Sequence, residues 1–316
     1  MTTTHRVHLD CDTGIDDALA IAHLLARPHV DLISVSTVSG NTTSRQAARN
    51  TLDLLALAGR DEVPVAVGAG GPLVGDYRGG TPHVHGANGI GDIELPRASA
   101  TETETGGPGQ IVRAAREHPG ELELVAVGPL SNLAHALAED PQLPTRVRHV
   151  TIMGGAVWVR GNITEYAEAN IANDPEAARA VFNASWPITL VPLDVTLQHS
   201  IGVAEQRALA ERGTAFHTAL AEMLDTYLDF YENFYGERRA ALHDPLASMI
   251  AVGDSVPSSV RSTRLEVDPS GIESRGRTQP GASGTEIGVV TAVAAPAAPD
   301  LLRQILALDP GAELPA

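Results

Sequence analysis

Four carboxylates lie within eight consecutive residues near the start of the chain: Asp10, Asp12, Asp16 and Asp17. Anions this close repel one another strongly at low effective dielectric, so a positive charge is expected among them. All the donors are oxygens, with no cysteine pair and no suitably spaced histidine pair, and such a set suits a hard cation, calcium or magnesium. The segment therefore predicts a divalent-cation site.

Two other interpretations of this segment stay open. One or two of the aspartates could cap the N-terminus of a helix, where the helix dipole favours negative charge. An aspartyl-nucleophile phosphatase also has two aspartates flanking one residue, with a threonine two places further on. Here Gly14 occupies that place and Thr13 comes one residue too early, which disfavours the phosphatase.

Buried strands alternate with helices around this segment. Short apolar runs typical of buried strands occur at residues 7–9, 32–38, 65–67, 122–127, 147–153 and 188–193. Helical patterns follow at residues 17–26, 44–58, 109–117, 131–138 and 175–182. The alternation predicts a single α/β domain over residues 1–316, with a mainly parallel central sheet flanked by helices. Because ligands of such sheets bind beyond the carboxyl ends of the strands, the polar residues found there are the candidate site.

The rest of the chain adds helices and a pair of strands. Residues 204–236 have a helical pattern that ends in an aromatic-rich segment, and further helices are predicted at 244–252 and 297–308. A strand pair is expected at 262–267 and 286–293. The aperiodic stretch 68–108 is too long for a simple connector, which favours a functional loop.

Composition narrows the class of protein. Of 316 residues, 43% are hydrophobic and 19% charged, which allows a large buried core and excludes a disordered or collagen-like chain. A formal net charge of −17 without a basic cluster disfavours nucleic acid and anionic membranes as partners. The first residues lack the apolar core of a signal peptide, so we expect a cytoplasmic protein. A single cysteine, Cys11, excludes an internal disulfide framework.

Several further segments resemble, in order, those of one enzyme family. The Asp-x-Asp-x-Gly-x-Asp-Asp pattern after the first strand is characteristic of the inosine-uridine nucleoside hydrolases. The other similar segments are Val38-Ser-Gly-Asn41, His85-Gly-Ala-Asn-Gly-Ile, Val127-Gly-Pro-Leu-Ser-Asn132, Met153-Gly-Gly, Gly161-Asn162, Ala167-Glu168-Ala-Asn170 and His243-Asp244-Pro. The resemblance covers nearly the whole chain.

The resemblance implies a cofactor and a set of site residues. It implies a calcium ion held by Asp12, Asp17, Asp244 and the main-chain carbonyl of Val127, together with ribose hydroxyls and a water. Asp12 would be the catalytic base and His243 the group that assists the leaving base, with Asp10 as support. Substrate-binding positions would be Asp16, Asn41, His85, Met153, Asn162, Glu168, Asn170, Tyr231 and Tyr235. The family also suggests a homodimer or homotetramer.

The chemistry of an N-ribosyl bond explains why such residues would be needed. Its hydrolysis passes through a transition state with positive charge on the sugar and negative charge on the departing base. A cation-bound water must become nucleophilic, the ribose must be held in line with it, and the base must be protonated or hydrogen-bonded as it leaves. Direct attack by this water predicts inversion at C1′.

The same residues bear on two further questions, whether the protein is an enzyme or a binding protein and which base it accepts. A nucleoside- or ribose-binding protein with a structural cation would keep the sugar-binding groups, but it would not need Asp12 and His243. The presence of His243 favours the branch that accepts inosine and uridine type substrates, while Ala169 stands where some relatives have a bulkier aromatic residue. The preferred base is therefore not specified by the sequence.

Overall fold

The computed structural model describes residues 4–270 and 272–310, and all of their side chains except those of Phe234 and Tyr235. The strands, in chain order, are β1 (His5–Cys11), β2 (Val30–Thr37), β3 (Val65–Val67), β4 (Leu122–Ala126), β5 (Val147–Met153), β6 (Ile188–Val191), β7 (Ser200–Gly202), β8 (Arg239–Ala241), β9 (Pro257–Val267), β10 (Thr278–Pro280) and β11 (Glu286–Val293).

Helices connect or flank most of these strands. They are α1 (Ile15–Leu25), α2 (Ser44–Leu57), α3 (Pro82–His85), α4 (Gly107–Glu117), α5 (Ser131–Glu139), α6 (Ala169–Asn173), α7 (Pro175–Phe182), α8 (Leu193–Thr196), α9 (Val203–Arg212), α10 (Ala215–Tyr235), α11 (Asp244–Ala251) and α12 (Ala297–Ala307). Among the described residues, none of these helices is both long and apolar enough to cross a membrane.

Within the described residues, nine strands form one sheet in the order β10-β9-β11-β6-β5-β4-β1-β2-β3. The strands from β11 to β3 in this order run parallel, and β9 is antiparallel to both β10 and β11. The predicted α/β class with a mainly parallel sheet is therefore confirmed.

The chain order reverses at β1. From β1 the chain proceeds to β2 and β3 on one side and then returns to β4 on the other side, so β1 and β4 are neighbours. Their carboxyl ends form a topological switch point, where open α/β sheets bind ligands. Asp12 follows β1 directly and Val127 follows β4 directly. The acidic segment is thus placed at the crevice that this topology creates.

The two faces of the sheet bury separate apolar cores. Leu122, Leu124 and Ala126 of β4 belong to one cluster, which is covered by α4, α5 and α7. Val125, between them, belongs to the other cluster, which is covered by α1, α2, α10, α11 and α12. This division follows the alternation of side chains along a strand. Apolar cores on both faces of the sheet therefore support the switch point.

Some boundaries differ from those expected. The helical pattern predicted over residues 204–236 is two helices, because Gly213 adopts a left-handed conformation (φ 74°) and ends α9. The strand expected at 262–267 begins earlier, at Pro257. The run at 188–193 is a strand only as far as Val191, because the following residue is Pro192, which has no N–H to donate to the sheet.

One buried aspartate ties three segments together beside the switch point. Asp174 caps α7 by accepting the N–H of Ala177 at 3.0 Å, and it also accepts the Ser131 hydroxyl at 2.6 Å and the N–H of Leu73 at 2.8 Å. These contacts join α7 to the start of α5 and to the long loop after β3.

We expect Asp174→Ala to lower the free energy of unfolding by about 3 kcal/mol, because it removes a cap and leaves two further donors unpaired. Thr43→Ala is the matched control, since Thr43 caps α2 at an exposed position through one hydrogen bond to Gln46, and it should cost about 1 kcal/mol. Urea denaturation measures both values. Equal losses in the two variants would contradict a joining role for Asp174.

Candidate active site

Three carboxylates meet where two helices begin. Asp16 and Asp17 lie in the first turn of α1, and Asp244 is the first residue of α11. One oxygen from each lies within 4.8 Å of the others, and all three side chains are buried. Because both helices point their N-termini at this cluster, their dipoles offset part of the repulsion.

Asp17 has two hydrogen bonds that fix the entry into α1. Its Oδ2 accepts the N–H of Gly14 at 2.7 Å, and its Oδ1 accepts the N–H of Asp12 at 3.2 Å. The capping interpretation therefore describes Asp17 correctly. It does not account for Asp12 or Asp16, since capping uses neither carboxylate.

Asp12 lies beside this cluster with one oxygen bound and one unbound. Its Oδ2 accepts the N–H of Asn41 at 2.6 Å, while Oδ1 is buried without a hydrogen-bond partner among the described residues. Asp16 Oδ1 is likewise buried without a hydrogen-bond partner among the described residues, although Asp16 Oδ2 accepts the hydroxyl of Tyr227 at 3.3 Å. Buried and unpaired carboxylate oxygens are costly unless a cation or a ligand satisfies them.

The pKa values of the site aspartates are raised because these carboxylates are buried and close together. Burial raises the pKa of Asp16 and Asp17 to about 6. Burial, and after it the charges of neighbouring aspartates, raises the pKa of Asp12 and Asp244 well above the ordinary value. A divalent cation would reverse these shifts because it favours the ionised form. An all-oxygen donor set with unpaired oxygens and raised pKa values fits a hard cation.

A polar network lies beneath the cluster, on the other face of β1. Asp10 Oδ1 accepts the Asn132 amide at 2.7 Å and a short hydrogen bond from the Ser36 hydroxyl. The ring of His8 lies 2.8 Å from Ser36 and 2.6 Å from Ser34. Burial raises the pKa of Asp10 to about 7. Asp10 is not part of the cavity lining, its Oδ2 is buried without a hydrogen-bond partner among the described residues, and its hydrogen bond with Ser36 joins β1 to β2.

A cavity of about 380 Å³ opens above the carboxylates. Its lining contains eleven of the residues predicted from the sequence: Asp16, Asn41, His85, Val127, Met153, Asn162, Glu168, Asn170, Tyr231, His243 and Asp244. Asp12 and Asp17 are not part of the lining, and they connect to it through Asn41, whose amide donates to Asp17 at 3.2 Å. The side chain of the remaining predicted residue, Tyr235, lies outside the described residues.

One side of the cavity is polar and tightly organised by Glu168 and Asn170. Glu168 caps α6, and its carboxylate accepts N–H groups of Gly155 at 2.9 Å, Asn170 at 2.9 Å and Ile171 at 3.2 Å. The Asn170 amide donates to the Val127 carbonyl at 2.8 Å and lies near Met153. A carbonyl oxygen has a second lone pair, so Val127 can still offer one to a cation.

Another part of the lining is formed by five rings, here called the aromatic wall: His83, His85, Tyr227, Phe230 and Tyr231. Consecutive rings are in contact from His83 to Phe230, Tyr231, Tyr227 and His85, with centroids 4.9–5.8 Å apart. His85 Nδ1 accepts the N–H of Ile15 at 3.1 Å, and burial lowers the pKa of His85 to about 4. The His85 ring is therefore neutral at pH 7 and carries its proton on Nε2.

His243 lines the cavity from the residue before α11. Its Nδ1 lies 2.9 Å from the Thr196 hydroxyl, which leaves Nε2 as the atom available to a ligand. Burial, and secondarily the nearby His85, lowers the pKa of His243 to about 4. At pH 7 the ring is neutral, so it enters the site as a hydrogen-bonding imidazole.

Sequence reasoning missed several contacts of this cavity. It assigned Tyr231 but not Tyr227 or Phe230, although all three share one helical face at spacings of three and four residues. The motif assigned His85 but not His83, two residues earlier, and the structure places both on the aromatic wall. No local signal marks Thr196, which comes from α8 and meets His243 across 47 residues of chain.

The fold and this site together define an α/β protein with a buried acidic cluster beside a cavity of about 380 Å³ at the carboxyl ends of its parallel strands. The sequence profile of the family described as inosine-uridine preferring nucleoside hydrolase matches residues 7–299. The chain therefore belongs to that family, as its sequence motifs predicted. It is an enzyme of the N-glycosyl hydrolase type.

Relatives agree on the class of reaction and differ in the base. Uridine nucleosidase 1 of Arabidopsis thaliana is 36% identical over 244 residues, which are 77% of this chain and 72% of that protein. A solved plant nucleoside hydrolase has 31% identity and a TM-score of 0.91, covering 96% of this chain and 99% of the other. A purine-preferring ribonucleoside hydrolase of Gardnerella vaginalis has 31% identity and a TM-score of 0.89, with 96% and 97% covered.

The crowded carboxylates predict an unusual dependence of stability on pH. Because the folded-state pKa values of Asp16 and Asp17 lie above the ordinary value of 3.8, the ion-free protein loses stability as pH rises from about 4 through about 6. Asp244→Asn removes one of the repelling charges. We expect it to raise the free energy of unfolding in chelator at pH 7 by about 1–3 kcal/mol.

Urea denaturation in chelator between pH 4 and 8 measures this effect. Asp194→Asn is the control, because Asp194 accepts N–H groups of Val157 and Trp158 at 2.9 and 2.8 Å, and its replacement should destabilise the protein. A loss of stability in the Asp244 variant at pH 7 would show that the cluster is not under electrostatic strain.

Proposed function

We propose that this protein is a calcium-dependent ribonucleoside hydrolase, which splits inosine and uridine type nucleosides into ribose and a free base. The observation that carries the proposal is a group of buried carboxylates beside a cavity that has both polar and aromatic lining residues, with one oxygen of Asp12 and one of Asp16 left without a hydrogen-bond partner among the described residues. Ribose matches the polar side through its hydroxyls, and a planar base matches the aromatic wall.

The residues that would hold calcium are Asp12, Asp17, Asp244 and the Val127 carbonyl, with Asp16 close enough to contribute. Five oxygen donors leave room for ribose hydroxyls and a water in a calcium coordination shell. A bound divalent cation supplies one piece of chemistry here, since it makes a coordinated water more acidic near neutral pH. Magnesium is the less suitable ion because it demands stricter octahedral geometry.

Asp12 is proposed to accept the proton of the attacking water. The N–H of Asn41 holds Asp12 Oδ2 at 2.6 Å, which fixes the carboxylate and leaves the buried Oδ1 for the proton. Glu168, Asn170 and Asn162 are proposed to bind the ribose, because their carboxylate and amide groups line the polar side. The carboxylate of Glu168 would also stabilise the positive charge that develops on the sugar.

His243 is proposed to hydrogen-bond the departing base through Nε2, with Thr196 fixing the ring from Nδ1. The aromatic wall encloses the base and excludes water from the bond that breaks. The names of the relatives include uridine, pyrimidine and purine preferences. The inosine and uridine assignment therefore rests on His243 and on the family.

The central test is a panel of inosine, uridine, adenosine and cytidine, scored for released ribose in chelator and after adding calcium. We expect turnover only with calcium, and α-ribose as the first product seen by NMR.

Asp12→Asn should lower kcat by about 10²–10⁴-fold, the usual contribution of a general base. Asp53→Asn is the control, because Asp53 is a buried aspartate paired with Arg49 elsewhere. Full turnover in chelator would refute the calcium-dependent mechanism.

A second experiment separates leaving-group assistance from substrate positioning. His243→Ala should lower kcat/KM far more for inosine or uridine than for a nitrophenyl riboside, whose leaving group needs no assistance. Thr196→Val should produce a smaller loss with the same substrate dependence, because it only releases His243 Nδ1. Equal losses on both kinds of substrate would mean that His243 positions the substrate.

A further inference from the structure

A buried polar cluster outside the cavity joins the two helices that carry the site carboxylates. His23 of α1 lies with Nε2 3.0 Å from Asp254 Oδ2 and with Nδ1 2.9 Å from the Ser248 hydroxyl of α11. The guanidinium of Arg27, just beyond α1, donates to Asp254 Oδ1 at 3.0 Å. We call these four residues, Ser248, His23, Asp254 and Arg27, the interhelix clamp.

The order serine, histidine, aspartate is that of a hydrolytic triad, but the surroundings exclude that role. His23 and Ser248 have no solvent exposure, so no substrate can reach the hydroxyl. The Ser248 hydroxyl also lies 2.9 Å from the carbonyl of Pro245 in its own helix. A triad needs an accessible nucleophile beside a site for the reacting carbonyl.

The clamp contacts α11 at two separated points. Ser248 lies one helical turn after Asp244, whereas Asp254 follows the end of the helix and donates its N–H to Met249 at 2.9 Å. On the other side, His23 and Arg27 belong to the last turn of α1 and the residues after it. The clamp therefore fixes α11 against α1 both along the helix axis and in rotation.

Apolar side chains also join the two helices. Side chains from both helices, including Leu19 of α1 and Leu246 of α11, belong to one hydrophobic cluster. Apolar attraction has no preferred direction, so it resists separation of the helices more than sliding. Hydrogen bonds weaken steeply with distance and angle, and they select one offset.

We infer that His23 is a positioning residue of the active site: by bridging Ser248 and Asp254 it sets the spacing between the α1 carboxylates and Asp244. Asp16 and Asp17 begin α1, and Asp244 begins α11. Any displacement of one helix along the other therefore changes the separation of the oxygens that now lie within 4.8 Å. The inference rests on the proposed function, since it concerns the spacing of a cation site.

The experiment measures calcium binding by isothermal titration calorimetry with full-length, chelator-stripped protein. His23→Leu fills the buried space with an apolar side chain of similar size and removes both hydrogen bonds. We expect it to weaken calcium binding about 10- to 100-fold, the usual effect of losing a group that orients metal ligands. Raising the calcium concentration should restore most of the lost kcat/KM.

His217→Leu is the matched control. His217 is equally buried, lies 2.6 Å from the Thr214 hydroxyl and 2.9 Å from the Ile305 carbonyl, and belongs to α10 rather than to α1 or α11. Its replacement should lower thermal stability by a comparable amount while leaving calcium affinity unchanged. If both histidine variants lost affinity equally, the effect would be general destabilisation and the inference would be overturned.

A double-mutant cycle supplies a readout that a merely structural role would not change. If His23 acts through Ser248, the double variant of His23→Leu with Ser248→Ala should bind calcium no more weakly than His23→Leu alone. Additive losses would overturn the inference. If His23→Leu does not fold, Asp254→Asn and Ser248→Ala, which keep His23, should each weaken calcium binding, and unchanged affinity in both would overturn it.

These outcomes differ from failure of the proposed function. That proposal fails if the wild-type protein neither binds calcium nor releases ribose from nucleosides. The inference about the interhelix clamp fails if the wild-type protein does both and the clamp variants bind calcium as tightly as the wild-type protein.

Discussion

The structure depends on holding like charges together in a buried space. The carboxylates of Asp12, Asp16, Asp17 and Asp244 are gathered at the N-termini of two helices, where dipoles and backbone N–H groups favour anions. Glycine makes this approach possible, because a Cβ at Gly40 would collide with the Asp12 carboxylate and one at Gly128 would lie 2.9 Å from it. The neighbouring loops can therefore approach Asp12 closely only where a side chain is absent.

Such a cluster opposes folding, and the rest of the molecule has to offset it. Two apolar cores on opposite faces of one sheet supply that stabilisation, and polar groups such as Asp174 and His23 fix the positions of the helices and loops around the site. One oxygen of Asp12 and one of Asp16 stay buried without a hydrogen-bond partner among the described residues, which is unfavourable unless a cation or ligand satisfies them. Sites under strain of this kind are where stability and activity oppose each other.

The sequence predicts the parts of this site that are local. The acidic segment at the first βα junction and the parallel sheet follow from residue types and periodicity, whereas most residues of the polar side were predicted only through the family resemblance of short motifs. Contacts between distant segments do not follow, because no pattern links Thr196 to His243 or His23 to Ser248. Tyr227 was missed for another reason: an aromatic residue at helical spacing usually indicates core packing, and here its ring packs in the core while its hydroxyl reaches Asp16.

The order in which the site residues occur along the chain has a consequence for biosynthesis. Asp244 follows Asp17 by more than two hundred residues, and β6 pairs with β11, which comes later still. During translation the first acidic residues therefore emerge long before the helix that will face them. Pairing strands so far apart in sequence slows folding, and the acidic cluster is complete only after α11 has been synthesised and has packed against α1.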